Sequence, residues 1–214
     1  MQLILITGAS ASGKTQVAKG LLAHLHFIFG EDSACLISQD HYYHDLPQMP
    51  NESNPATNFD HPDALDFELL KNHIDSLFAG QPIHMPLYDF ATHSRLKHDE
   101  SVKPCPITIV EGIHALYDQS LFEKATLKAF VETPQDVCLD RRLKRDMAQR
   151  ARTKDDILHQ YYSNVLPMFE RFIHPTIGLS DIIIDGQIPT DISVQRLLSQ
   201  VDLSQLKSSF TSRE

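Results

Sequence analysis

Gly8-Ala9-Ser10-Ala11-Ser12-Gly13-Lys14-Thr15 matches the pattern G-x-x-x-x-G-K-[ST]. An apolar run, Leu3 to Ile6, precedes it, and residues from Lys14 to about Phe29 show helical spacing. Strand, loop and helix in that order are what a phosphate cradle requires. Glycines let the backbone wrap so that successive N–H groups face one anion. The start of the helix adds partial positive charge. In such a loop Lys14 reaches the β and γ phosphates of a nucleoside triphosphate, and the Thr15 hydroxyl ligates Mg²⁺. A glycine-rich turn matching by chance is expected in roughly one chain in a hundred of this length. The flanking strand and helix make that reading weaker still.

Four more short apolar runs follow: Ala34 to Ser38, Ile107 to Val110, Ala129 to Val131 and Asp181 to Ile184. Helical patterns separate them, from Asp66 to Phe78 and from near Pro134 onward; Pro167 and Pro175 should interrupt the next helical stretch, and a polar tail helix should follow the last strand. Buried strands alternating with helices predict an α/β chain with a mostly parallel five-stranded sheet and flanking helices. Ile83 to Phe90 and Thr92 to Val102 break that alternation. They read as an antiparallel hairpin inserted at about 84–103, beside the site. His44 to Asn58, rich in Pro, Asn and Ser, reads as a loop. With 214 residues the chain is expected to be one domain, 1–214, large enough to fold without disulfides.

Two carboxylates fall where a phosphate loop needs them. Glu111 ends the Ile107 strand, and Asp40 follows the Ala34 strand. Ligands of open α/β sheets sit at the carboxyl ends of strands. Glu111 with Thr15, and Asp40 beside them, therefore suit magnesium, and Asp40 can also orient a nucleophilic hydroxyl.

Charge narrows the partners. The chain has 19 Lys and Arg against 28 Asp and Glu, a net charge of −9. That balance argues against duplex nucleic acid and against an anionic membrane surface. Yet residues 141–154 hold seven basic side chains and a single acid. Such an island in an acidic chain suggests a compact anion held locally. Lys144 and Lys154 read as solvated. The arginines read as part of a lid over the γ-phosphate, spanning about 141–160, that would also exclude water. The three cysteines, Cys35, Cys105 and Cys138, have no paired spacing and are expected as buried thiols in a reducing compartment. The start of the chain lacks a signal-peptide pattern and no apolar run approaches 18 residues, so the cytoplasm is expected. His41 and His44 lack a third ligand at suitable spacing and read as surface or pocket-edge histidines.

Taken together, GASASGKT, SQDHYYHD (Ser38 to Asp45), NFDHPDALD (Asn58 to Asp66), PLYDFATHSR (Pro86 to Arg95), VEGIHAL (Val110 to Leu116) and DRRLKRDMAQRAR (Asp140 to Arg152) resemble the uridine kinase, or uridine–cytidine kinase, family of P-loop kinases. The phosphate loop is shared by many families; NFDHPDALD with YDFATHSR is much more specific. The resemblance implies a P-loop NTPase fold and transfer of phosphate from ATP or GTP, with Mg²⁺, to the 5′-hydroxyl of uridine or cytidine. It implies Asp40 as catalytic base with Lys14 beside it, and Thr15, Glu111 and Asp40 around the metal. The triphosphate would contact Gly8, Ala9, Ser10, Ala11, Ser12, Gly13, Lys14, Thr15, Arg145 and Arg150. The nucleoside would contact Phe59, Asp60, Tyr88, Phe90, His93, Arg142, Arg152 and Gln160. A homo-oligomer, a tetramer, is also implied. The bottom-up inventory agrees in kind, because a pyrimidine nucleoside needs a flat aromatic slot and a carboxylate for vicinal hydroxyls. The competing reading of Tyr88 and Phe90 is one strand face packing as core.

Two departures from the family pattern stand out. Ala151 replaces the glycine usual between the lid arginines, and Asp185-Gly186-Gln187 replaces Pro-Arg-Gly after the last strand. Rival readings remain: a P-loop kinase of another small metabolite (pantothenate, a ribulose phosphate, nicotinamide riboside), a non-catalytic nucleotide-binding regulator, and a GTPase. The last rests on Thr153-Lys154-Asp155-Asp156, which resembles [NT]KxD but has no preceding strand and no DxxG elsewhere.

Overall fold

The computed structural model describes residues 1–45, 58–90, 92–149, 152–204 and 206. β1 (Gln2–Gly8) runs into the phosphate loop and α1 (Lys14–Phe29), followed by β2 (Ala34–Ser38) and α2 (Phe67–Phe78). β3 (Ile83–Asp89) and β4 (Ser94–Val102) form the hairpin; β5 (Ile107–Glu111), α3 (Gln119–Lys124), β6 (Leu127–Glu132) and α4 (Gln135–Gln149) follow. α5 (Lys154–Gln160) continues through π-helical turns, Tyr161–Val165 and Phe169–Ile173, with α6 (Leu166–Met168) between them, before β7 (Ile182–Asp185) and α7 (Thr190–Leu198).

Five strands form one sheet in the order β2-β5-β1-β6-β7, and every pairing is parallel. β3 and β4 pair antiparallel in a separate two-stranded sheet, with a register shift between Pro86 and Tyr88. The expected five-stranded parallel sheet and inserted hairpin are therefore present.

The central strand explains why its sequence reads as an unbroken apolar run. Leu3 and Leu5 pack on one face with Ile37, Leu70, Ile74 and Leu77. Ile4 and Ile6 pack on the other with Val17, Leu21, Leu25 and Leu197. A parallel strand covered on both faces has no polar alternation to show.

Several local expectations are corrected. Asp66 is the N-cap of α2, not its first residue, and its carboxylate accepts from the Leu69 amide at 2.9 Å. α3 carried no sequence expectation; it is short and is capped by Asp118 on the Leu121 amide. Pro167 does not interrupt the helical path. Pro167 lies in α6 between two π-helical turns, and the residues flanking α6 on both sides keep right-handed helical backbone. Pro175 opens a 3₁₀ stretch, His174–Leu179. Of the three thiols expected to be buried, only Cys138 is; Cys35 and Cys105 are half-buried, one on edge strand β2 and one in the approach to β5. Among the described residues no helix is long and apolar enough to cross a membrane.

Candidate active site

The phosphate loop follows β1 directly. Its turn closes through Ser12 N–H to the Ala9 carbonyl at 3.0 Å. Ala11 takes a left-handed φ of 66°, a conformation that costs a residue with a Cβ about 1–2 kcal/mol. Lys14 is only 7% exposed, and its ammonium donates to the Ala9 carbonyl at 3.4 Å across the loop. It is thus folded over the space a phosphate would enter.

Sheet order brings the two predicted acids together. β2 and β5 are neighbours, with Ser38 opposite Glu111. Glu111 is buried and accepts from the Ser38 hydroxyl at 2.7 Å and the Thr15 hydroxyl at 3.0 Å. Burial, and then the charge of Asp40, push its carboxyl pKa up. Asp40 stands in the 3₁₀ turn Gln39–Tyr42 just past β2 and lines a cleft that Lys14 and Thr15 also line. This is a hard oxygen set with too little positive charge, which suits magnesium. Among the described residues no group of three or more His, Cys, Asp or Glu side chains could hold a metal ion. A cation here would draw its remaining oxygens from a phosphate and water, as magnesium commonly does. His41 has another use: its Nδ1 accepts the Tyr88 amide at 3.2 Å, linking the Asp40 turn to the hairpin.

The basic island is wired around a residue that the sequence reading passed over. Asp146 is fully buried, with Arg145 Nε at 2.8 Å, Arg142 Nε at 3.6 Å and Arg152 Nη1 at 4.0 Å. Arg142 also donates to the Ser10 hydroxyl at 2.9 Å and to Gln160 Oε1 at 3.0 Å. Arg152 donates to the same Gln160 oxygen at 2.6 Å. Arg142, Arg145, Arg152 and Gln160 all line the cleft. Arg141 also lines the cleft. It donates to the Ser12 carbonyl at 3.1 Å and the Gly186 carbonyl at 3.0 Å, clamping the phosphate loop to the segment after β7. A Cβ at Gly186 would stand 2.1 Å from Thr133 Oγ1 and 2.3 Å from the Ser12 carbonyl, so the packing of this chain needs the glycine that stands where the family pattern has arginine. Lys144 and Lys154 are exposed. Arg150 and Ala151 lie outside the described residues. Thr153 caps α5 on the Asp156 amide, so the [NT]KxD look-alike is a helix start, without the strand a guanine-reading loop needs.

Across the cleft stands an aromatic wall. Phe59 and His93 stack at 4.7 Å and 21°. Tyr88 and Phe90 meet at 5.3 Å, edge to face. Tyr43, absent from the sequence-based set, contacts Phe59 at 5.5 Å, Tyr88 at 5.5 Å and Phe90 at 6.4 Å. The doublet Tyr42-Tyr43 beside Asp40 was the available signal. Tyr88 is both things at once: it belongs to the hydrophobic core and also lines the cleft. Asp60 lies beside Phe59, 8% exposed; burial raises its pKa and the Arg142 guanidinium opposes that rise.

Lys14, Thr15, Asp40, Asp60, the described arginines of the basic island and the aromatic wall line one cleft of about 1810 Å³, whose lining also includes Gln187, Pro189 and Thr190. Single small-molecule sites span roughly 300–1,000 Å³, so the cleft has room for two ligands meeting at the phosphate loop. Of the lining residues Gln187 to Thr190, the sequence reading names only Gln187, within a departure from the family pattern.

Residues 3–193 match the model of the Phosphoribulokinase / Uridine kinase family. The chain is 40% identical over 200 residues to a uridine kinase of Chloroflexus aggregans, covering 94% of each chain. It is 42% identical over 199 residues to a uridine kinase of Yersinia enterocolitica, covering 93% of each. Among solved structures, a possible uridine kinase from Bacillus stearothermophilus superposes with a TM-score of 0.60 at 18% identity, covering 86% of this chain and 88% of that one. At that identity the likeness speaks for the fold alone.

Proposed function

The chain belongs to the Phosphoribulokinase / Uridine kinase family, a P-loop kinase of nucleosides or small metabolites, and on that premise we propose that it phosphorylates the 5′-hydroxyl of uridine and cytidine with ATP or GTP. The observation that carries the reading is the shared cleft. A buried carboxylate, Asp60, and an aromatic wall of Phe59, Tyr88, Phe90 and His93 face the same space as Lys14 and Asp40. A flat ring with vicinal hydroxyls on one side, and a triphosphate on the other, match those two halves.

In this reading the triphosphate lies on Gly8 to Thr15, with Lys14, Arg145 and Arg150 drawing charge from the transferring phosphoryl group. Thr15 and Glu111, with Asp40 near, would hold magnesium, which screens the phosphate oxygens from one another. Asp40 accepts the 5′-hydroxyl proton as the oxygen attacks the γ-phosphorus and the bond to the leaving diphosphate breaks. Asp60 accepts hydrogen bonds from the ribose hydroxyls. Phe59, Tyr88, Phe90 and His93 enclose the base, and Arg142, Arg152 and Gln160 close over the nucleoside. Burying the reacting groups excludes water, the competing acceptor. By family resemblance the chain acts as one kinase domain over residues 1–214, with the 84–103 insertion and the 141–160 lid, in a cytoplasmic homo-oligomer that serves pyrimidine salvage.

The test is ADP production with uridine, cytidine, adenosine and guanosine at matched concentration. Both pyrimidine nucleosides should turn over, and both purine nucleosides should be poorer by orders of magnitude, because a site that spends polar groups on particular base atoms rejects a ligand leaving them unpaired. Comparable turnover of adenosine, or none of either pyrimidine nucleoside, would shift the reading to a kinase of another metabolite.

A further inference from the structure

His114 follows Glu111 by one short turn and is 2% exposed. Neither the phosphate chemistry nor the aromatic wall uses it. Its Nε2 lies 2.9 Å from the backbone carbonyl of Asp60. A carbonyl only accepts, so Nε2 carries the proton and the ring is held in one tautomer. The backbone N–H of His114 in turn donates to Gln39 Oε1 at 3.0 Å. Gln39 is 1% exposed and immediately precedes Asp40. Gly112 permits this arrangement: a Cβ there would stand 2.4 Å from both Cβ and Oε1 of Gln39. The other side of the Asp60 peptide is also held, since its N–H donates to Asn58 Oδ1 at 3.1 Å. With its amide and its carbonyl both tied, the Cα–Cβ direction of Asp60 is fixed, and its carboxylate can reach only a few rotameric positions.

We propose that His114, seated by Gln39, is a positioning residue that aims the Asp60 carboxylate, so that discrimination among acceptor sugars depends on a strut running from the Asp40 turn to the Asp60 turn. The proposal rests on the reading of Asp60 as the ribose-binding group. It adds the element that sets the spacing between the group activating the 5′-hydroxyl and the group reading the other hydroxyls. Loop 112–114 links the two because it leaves the strand that carries Glu111 and lies against both turns.

Steady-state kinetics with uridine, 2′-deoxyuridine and ATP on wild type, His114→Leu and His114→Gln test it, with thermal melting as a control for folding. His114→Leu removes the donor and keeps the bulk. It should raise the uridine KM about three- to tenfold, the scale of one lost neutral hydrogen bond, leave the ATP KM within about twofold, and shrink the preference for uridine over 2′-deoxyuridine by a similar factor. His114→Gln can present an amide N–H to the same carbonyl and should restore both quantities. A purely structural role would move the melting temperature without moving the sugar preference. If His114→Leu does not fold, Gln39→Met removes the acceptor that seats His114 and carries the same expectation. An active wild type whose uridine KM and sugar preference are unchanged in the Leu variant overturns this assignment alone. A wild type inactive on uridine, or indifferent to the 2′-hydroxyl, overturns the reading of Asp60 and this assignment with it.

Discussion

Replacing Asp146 with Asn removes one negative charge from beside the guanidiniums of Arg142, Arg145 and Arg152 while keeping the side chain's size. The carboxylate is wholly buried, and the side chains of Arg142, Arg145 and Arg152 are 7%, 33% and 31% exposed. Breaking a buried ion pair by removing one partner costs about 3–5 kcal/mol. Two of the three arginines reach solvent, and Asn retains an acceptor, so the expected loss is smaller, about 2–3 kcal/mol. In a chain of this size that is a fall in Tm of roughly 4–12 °C. The effect should also reach the ligands unequally. Arg142 and Arg145 would both lose the negative charge that steadies their guanidiniums beside the cleft, so the ATP KM should rise and kcat should fall together. A double-mutant cycle with Arg145→Met separates packing from positioning. If Asp146 acts through Arg145, the two changes are strongly non-additive in kcat/KM for ATP. Thermal melts and ATP titrations on the four proteins suffice. An Asp146→Asn variant that melts within about 1 °C of wild type with an unchanged ATP KM would refute the network, since a loss below about 0.5 kcal/mol is what surface substitutions give.

Asp40→Asn should lower kcat by about 10²-fold or more while leaving ATP affinity nearly unchanged, the pattern of a lost general base; single-turnover kinetics with an independent ATP-binding titration check it. Acid should destabilise the protein through His114. Burial depresses its pKa from the usual 6.5 to about 4, so the unfolded chain binds the proton more tightly than the native one. Stability from this group is complete above about pH 6.5 and is lost as pH falls toward 4, up to about 3 kcal/mol in order of magnitude. Urea unfolding at pH 7 and pH 4.5 should show a smaller pH-dependent loss in His114→Leu than in wild type. His41 and His73, whose pKa values burial also lowers, contribute in the same direction and remain in both proteins.

Much of the fold was legible because its determinants are local. The run Leu3 to Ile6 could be placed without any contact map, because a strand covered on both faces must be apolar at every position. The loop and α1 are announced by residues within one short segment. The departures came where a local signal has two meanings. Asp66 resembles a first helical residue as much as a cap, and Pro167 resembles a helix breaker unless the turn before it is known to be π-helical. α3 has only six residues, too few for a periodic pattern to stand out.

The site divides along the same line. Residues whose type alone implies chemistry were named from the sequence, and Lys14, Thr15, Asp40, Glu111 and the aromatic wall all line or border one cleft. Residues that matter through their partners were not. Asp146 is one acid within a basic stretch, and only the folding of α4 against the segment that follows it brings Arg152 to the same carboxylate as Arg142 and Arg145. Tyr43 looks like the second member of a tyrosine pair until the hairpin brings Tyr88 and Phe90 against it. His114 joins segments 54 positions apart, and its role exists only because β5 lies between β1 and β2 and delivers loop 112–114 beside the Asp40 turn. Groups that touch a ligand must carry a particular chemistry, which constrains residue type and leaves a mark in the sequence. Groups that aim them need only the right hydrogen-bond atom at the right point in space, and several residue types can supply that atom. Their identity is therefore settled by tertiary geometry, and sites of this kind become visible when the strand order is known.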